Sequence, residues 1–340
     1  MTAFIDRLLP APKTGGFRMD DYWIWCGSPI HAQEDGRYHL FATRSPKTMA
    51  FNPFFVTDSE IVRASSDSPI GPYQFEEIVL PPRGEQFWDG KSTFNPAIHQ
   101  CPKTGTCLLF YAGTTYPGRA TRPGSMSDEP FATARANLRT GLATSRSVFG
   151  PWARSDHPIV EPRPGRWDGM QNSNPAACVQ ADGSVILVYK AVGHAKDRFR
   201  FGVCRATDFS GPYQRLSDEP ILNFDKTGDH VEDPFMWNEN GVFQLLMKDM
   251  EGGLSGEKHA GIHATSPDAL HWSLSSPAKA YSRTVRWDDG STTVQGSFER
   301  PQLLIENGRP THLFAATADG PGGFWNAKNT WNMVIPLRTV

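Results

Sequence analysis

The chain has 340 residues, with 34 Lys and Arg against 36 Asp and Glu and a formal charge of −2. That near balance, without a basic run, argues against nucleic acid or a membrane surface as partner. Its 31 Gly, 28 Pro and 10 Trp suit a turn-rich β protein with aromatic-lined grooves, and no apolar stretch reaches the ~18–20 residues of a membrane span.

The first residues, "MTAFIDRLLPAPKTGGF", lack the apolar core and small-residue cleavage site of a secretory leader. The expected location is the cytoplasm, or the periplasm or exterior if a leader has been removed. The five cysteines are scattered and odd in number, which fits free, mostly buried thiols better than a disulfide framework. Cys101 and Cys107 flank a predicted turn and are the one pair placed to bond.

The next signal is "MDDYWIWCGSP" at 19–29, which leads into the predicted hairpin "GSPIHAQEDGRYHLFATR". "ASSDSPIGPY" follows at 64–73, then "WDGKSTFNP" at 88–96 and a second hairpin, "NPAIHQCPKTGTCLLFYAG". "ATSRSVFGPW" (143–152), "WDGMQNSNP" (167–175) and the hairpin "NPAACVQADGSVILVYKA" repeat that order, followed by "RATDFSGPY" at 205–213. The fourth hairpin is "EDPFMWNENGVFQLLMKD", the looser "ATSPDALHW" comes at 264–272, and the fifth hairpin is "ERPQLLIENGRPTHLFAA" after "RWDDGSTTVQGSFERP". Four of the five turns contain Asp-Gly or Asn-Gly and the other has Thr104-Gly105, residues that tolerate the positive φ of tight hairpins. Each unit is therefore four antiparallel strands, with starts near 28, 95, 174, 233 and 300. Four-stranded units repeated at this length predict an all-β, five-bladed β-propeller, one domain over residues 1–340.

The propeller turns position into geometry. The first strand of each blade lines the axis, so Ser28, Asn95, Asn174, Glu232, Asp233 and Glu299 are predicted around one mouth. The far ends of the second strands add Arg44, Lys190 and Lys248, and the long loops 45–60 and 114–137 rim the same face. The approaches to the first strands place Asp21, Asp89, Asp168 and Asp288 beside Trp23, Trp88, Trp167 and Trp287. Two readings of the Trp-Asp-Gly copies stand: rim carboxylates and stacking faces, or an Asp capping a turn and a Trp wedged between blades.

Convergent carboxylates in a pocket rimmed by Trp fit glycoside hydrolysis, with one carboxyl kept protonated and another ionised. Glu232 or Glu299 is the candidate acid, Asp233 the base or the charge that tunes the acid, and Asp21 a further candidate base. His230 stands with Glu232 and Asp233 at the front of the fourth hairpin, close to this chemistry. Ser28, Arg44, Trp88, Asp89, Asn95, Trp167, Asp168, Asn174, Lys190 and Lys248 are expected to bind substrate. The basic residues either neutralise the acids or, with Arg44 as clamp, bind an anionic sugar. No Gly-rich phosphate loop, Gly-x-Ser-x-Gly elbow or zinc spacing is present. No cofactor is required, although the oxygen-rich axis leaves room for a structural calcium or sodium ion.

With its five blades, acid-Pro first strands and "GPY/GPW" turns, the chain resembles the five-bladed propeller glycoside hydrolases of families 43 and 117 over about residues 18–335. The family 43 resemblance implies an inverting reaction with acidic residues from blades one, three and four. Glu232-Asp233-Pro234 matches the blade-four motif, while Ser28-Pro29 and Asn174-Pro175 stand where the other two acids would be. The family 117 resemblance implies Asp residues with a His acid, roles open to Asp233 and His230. Asp21 and Asp168 could restore the missing carboxylates. The implied partner is an oligosaccharide of plant or algal origin, cut from its end. A glycan phosphorylase or lyase and a non-catalytic sugar-binding propeller stay open beside it.

Overall fold

The computed structural model describes residues 2–119 and 124–338. Blade one is β1 (Tyr22–His31), β2 (Tyr38–Pro46), β3 (Glu60–Ser66) and β4 (Gln74–Leu80). Blade two is β5 (Ser92–Gln100), β6 (Cys107–Thr114), β7 (Arg139–Ser145) and β8 (Ala153–Arg154), and blade three is β9 (Gln171–Val179), β10 (Val185–Val192), β11 (Arg200–Ala206) and β12 (Gln214–Arg215). Blade four is β13 (Val231–Glu239), β14 (Val242–Asp249), β15 (Gly261–Ser266) and β16 (Ser273–Tyr281). A small hairpin, β17 (Thr284–Arg286) and β18 (Thr292–Val294), precedes blade five: β19 (Ser297–Glu306), β20 (Arg309–Ala318) and β21 (Thr330–Pro336).

The sheet of blade five has three strands, and a segment from the other end of the chain runs along its outer edge in place of a fourth. Leu8 bridges to Leu337 and Phe17 to Asn332, with Leu9 donating to the Pro336 carbonyl at 2.9 Å. This closes the ring and covers an otherwise open sheet edge. The fold is a five-bladed β-propeller.

One apolar core fills each interface between neighbouring blades. Phe41 and Leu109 join blades one and two, Phe110 and Leu187 blades two and three, Val203 and Met247 blades three and four, Phe235 and Phe298 blades four and five, and Ile24 and Phe314 blades five and one. Strands packed on both faces read as continuous apolar runs. "CLLFYAGT" in β6 and "VILVYKAV" in β10 are buried throughout. The third strands must leave room for the aromatics of their neighbours: a Cβ on Gly202 would stand 2.2 Å from the Tyr189 ring. The five cysteines are free and buried, so Cys101 and Cys107 do not pair. Two short helices, α1 (Phe51–Phe54) and α2 (Phe131–Ala136), lie in the two long loops predicted to rim the mouth. Among the described residues no helix is long and apolar enough to cross a membrane.

The innermost strands share one irregularity that positions everything at the axis. Each contains a bulge, and the bulged residue has positive φ: Cys26 (31°), Asn95 (56°), Asn174 (53°), Asp233 (59°) and Arg300 (59°). A bulge adds an unpaired residue and re-aims the side chains around it. Asn and Asp tolerate this conformation well; Arg and Cys do so at a cost in strain.

Candidate active site

The five bulged residues close a hydrogen-bonded ring across the axis, one from each blade. The Cys26 thiol donates to Asn95 Oδ1 (2.9 Å), Asn95 Nδ2 to Asn174 Oδ1 (2.6 Å) and Asn174 Nδ2 to Asp233 Oδ1 (2.9 Å). Arg300 completes the circuit, donating to Asp233 Oδ1 at 3.1 Å and to Cys26 Sγ at 3.2 Å. Burial pushes the Cys26 thiol up to about 12, so it remains a donor. Blade one therefore enters the repeat at Cys26-Gly27, not at Ser28-Pro29. Ser28 lies deeper, giving its hydroxyl to Gln302 (3.0 Å) and accepting from the Ile98 amide (3.0 Å). It does not line the mouth, which corrects the expected register.

The residues just before the bulges face a cavity of about 540 Å³: Trp25, Phe94, Ser173, Glu232 and Glu299. The fifth repeat thus splits its two roles between neighbours, Glu299 facing the cavity and Arg300 the axis. Loop residues Asn52, Phe55 and Arg135 supply one side of the wall, and Phe324 and Trp325 another.

Blades four and five bring the acids together. Oxygens of Glu232, Asp233 and Glu299 all lie within 4.8 Å of one another. They converge on the Lys248 ammonium, which stands 2.8 Å from Glu232 Oε2, 3.2 Å from Asp233 Oδ2 and in direct contact with Glu299 Oε2. Asp233 Oδ2 has no partner in hydrogen-bond geometry, so its link to Lys248 is an ion pair at distance only. Lys190 holds the other Glu232 oxygen at 2.5 Å. The two glutamates consequently diverge. Burial alone would raise the Glu232 carboxyl, but Lys190 and Lys248 outweigh it and hold it well below the usual carboxylate range. Burial also raises the Glu299 carboxyl; Lys248 opposes this, but the charges of Asp233 and Glu232 add to it, and the group ends above its ordinary value. Burial works against the Lys248 charge, yet the three carboxylates hold its pKa well above normal.

The carboxylate triad also bears on the ion that the axis had room for. The position that a calcium or sodium ion would share among these oxygens holds the Lys248 ammonium, and the Arg300 guanidinium spans the axial ring below it. An ion would have to displace an ammonium already paired three times, so the donor set does not fit one.

The rim carboxylates take structural places. Asp89 is fully buried against Arg83 (2.6 Å), Arg154 (3.5 Å) and the Tyr111 hydroxyl (2.7 Å). Asp168 repeats this cluster in blade three with Arg163 (2.9 Å), Arg215 (3.0 Å) and Tyr189 (3.0 Å). Trp88 stacks on Tyr111 and Trp167 on Tyr189. None of these four lines the cavity: each Asp neutralises two arginines and accepts from a tyrosine hydroxyl, and each Trp stacks on that tyrosine. Asp21 is exposed and outside the cavity, and Asp288 is exposed and near the Lys13 amide. Arg44 is no clamp: it pairs with Glu60 at 2.8 Å and lies over Tyr22 and Phe75. His230 is not part of the cavity wall; its ring packs on Phe199 and its Nδ1 is buried without a hydrogen-bond partner. Asn95 and Asn174 reach the cavity, but the ring uses their amides. Arg135, Lys258, His259, Arg283 and Trp325 line it unforeseen, because they lie in connections between strands where no repeat marks them.

The fold and site together define a propeller with an acid- and aromatic-lined pocket at one end of its axis. No family model and no curated protein matches the chain by sequence. Solved structures do match. BT0996, in an RGII complex, is 15% identical with a TM-score of 0.69, covering 99% of this chain and 94% of that one. Zg3597, a family 117 glycoside hydrolase from the marine bacterium Zobellia galactanivorans, is 14% identical with a TM-score of 0.62, covering 96% and 87%. An endo-arabinase from Bacteroides thetaiotaomicron is 13% identical with a TM-score of 0.60, covering 96% and 98%. At these identities the likeness is one of fold.

Proposed function

We propose that the chain is a glycoside hydrolase in which Glu299 is the general acid and Glu232 the ionised partner. The observation that carries this reading is the unequal surroundings of two cavity-facing glutamates: Glu232 has two lysines, at 2.5 and 2.8 Å, while Glu299 shares only Lys248 with two other acids, which favours an ionised Glu232 and a protonated Glu299. Asp233, tied into the axial ring, supplies negative charge that helps Glu299 keep its proton. Trp25, Phe324 and Trp325 offer faces for stacking on a sugar, and a cavity of about 540 Å³ is in the range of small-ligand sites. Capping by the loops that carry α1 and Trp325 supports removal of a terminal sugar. The solved propellers named as glycoside hydrolases support the same class.

The nearest oxygens of the two glutamates lie within 4.8 Å of each other, and the Lys248 ammonium touches both groups. We infer direct attack by Glu232 on the anomeric carbon as Glu299 protonates the departing oxygen, the route of closely set carboxyl pairs. Water then cleaves the glycosyl ester and returns a proton to Glu299. The anomer first released, read by proton NMR, is expected to retain the substrate configuration; the inverted anomer removes this route and leaves a water between the two groups.

A panel of aryl glycosides tests the roles. Glu299→Gln is expected to lose about 10²–10⁴-fold with a poor leaving group and far less with an activated one, whereas Glu232→Gln loses rate with both. Equal loss in Glu299→Gln for both leaving groups overturns the assignment. The excess of cations in the wall would also suit phosphorolysis, which turnover with and without inorganic phosphate separates from hydrolysis.

A further inference from the structure

Six Lys or Arg side chains line the cavity against three acids. Lys190, Lys248 and Arg300 are taken up by Glu232, Asp233 and Glu299, and Lys258 pairs with Glu251 at 3.2 Å. Arg135 and Arg283 remain. Among the described residues neither has a carboxylate partner. Arg135 reaches only the Ala195 carbonyl at 3.3 Å. Arg283 makes two long contacts, 3.4 Å each, to the Gln295 and Gly296 carbonyls, and its Nε is buried with no partner. A partly desolvated guanidinium without an anion is costly and is normally paired. The two come from different parts of the wall, Arg135 from α2 and Arg283 from the segment after β16. His259 lies beside the second; burial and the charges of Lys248, Lys258 and Arg283 push it down to about 4, so it is a neutral hydrogen-bonding group within a positive field.

We propose that the sugar accepted by this cavity carries an oxyanion, a carboxylate or a sulfate ester, bound by Arg283, with the Arg135 charge on the other wall adding to the attraction. The inference rests on the reading of the cavity as a sugar site and names the class of sugar. Guanidinium forks match such oxyanions by paired N–H donors. An oxyanion there would give the guanidinium groups the charged partner that neither has and offset the surplus charge of the wall. Arg44, the clamp expected from sequence, plays no part.

The test is equilibrium binding to the unsubstituted protein by calorimetry, using free monosaccharides that cannot be turned over. Glucuronate, galacturonate and mannuronate are each compared with the parent hexose, and 6-sulfated glucose and galactose with theirs. At least one anionic sugar is expected to bind about tenfold or more tighter than its parent, the worth of one charge-assisted contact, and which arm responds tells carboxylate from sulfate. Arg283→Gln is expected to bring that ratio close to one. Should it not fold, Arg135→Gln tests the other wall in the same way. No anionic sugar binding tighter than its parent overturns the proposal, as does a ratio untouched by a folded variant. Full competition by inorganic phosphate, together with phosphate-dependent turnover, also overturns it by making the arginines a phosphate site. Hydrolysis of neutral glycosides without an anionic preference keeps the hydrolase reading and removes this one. An anionic preference in binding without hydrolysis does the reverse.

Discussion

Asp168 and Glu232 are both acids out of bulk water, and each is held by two cations. Around Asp168 two arginines and the Tyr189 hydroxyl surround a carboxylate with no solvent-exposed surface. Glu232 opens onto a cavity, and one of its cations is shared with two further acids. The same contrast separates Asp89 from Glu299. Burial and pairing alone describe a clamp. A shared cation and an open side leave the protonation of the second acid adjustable, which chemistry requires.

Each substitution below presses on that contrast. Glu299→Gln should have the largest effect, the loss of about 10²–10⁴-fold in turnover of a substrate with a poor leaving group. The pH profile belongs with it. A raised Glu299 stays protonated above the usual carboxylate range, so activity should fall as pH rises through its folded pKa, and Glu299→Gln should lose that limb. Stability follows the opposite sign at Glu232. Its lowered pKa contributes stability that is fully present above the unfolded glutamate value and lost as pH falls toward the folded one, which Glu232→Gln should reduce in acid denaturation.

Lys248→Met comes next. It strips three acids of their common cation and should cost about 3–5 kcal/mol in denaturant unfolding, together with activity. Asp168→Asn should cost about 1–3 kcal/mol by leaving Arg163 and Arg215 without their charge, while turnover per folded molecule stays unchanged. A loss of turnover beyond the folded fraction would move Asp168 out of the clamp class. Asn95→Ala, which opens the axial ring, should be smallest, about 1 kcal/mol, read as a modest drop in melting temperature.

The blades and the acidic mouth were legible because both are periodic. Turn residues recur at fixed places in the hairpins, and a polar residue followed by Pro96, Pro175, Pro234 or Pro301 marks four of the five first strands. The two long loops were correctly placed at the rim. Blade one misled because Gly27 stands where the other bulges have proline, so Ser28-Pro29 offered a false match two residues late. The Trp-Asp-Gly copies misled because their partners are remote in sequence: Arg83 and Arg154 for Asp89, Tyr189 and Arg215 for Asp168. Local motif reading sees the carboxylate and not the cations that neutralise it. Arg300 was within reach, as the residue after Glu299 at the position occupied elsewhere by Asn or Asp. Arg135, His259, Arg283 and Trp325 carried no repeat signal, since the connections that hold them are not repeated.

The central claim is that Glu299 holds a proton beside an ionised Glu232. Carbon-13 NMR titration of side-chain-labelled glutamate tests it directly, with Glu299→Gln and Glu232→Gln assigning the two resonances. One carboxyl should titrate above the ordinary glutamate range and vanish in Glu299→Gln, and another should stay ionised below that range and vanish in Glu232→Gln. A Glu299 that titrates at or below the ordinary value would contradict the account.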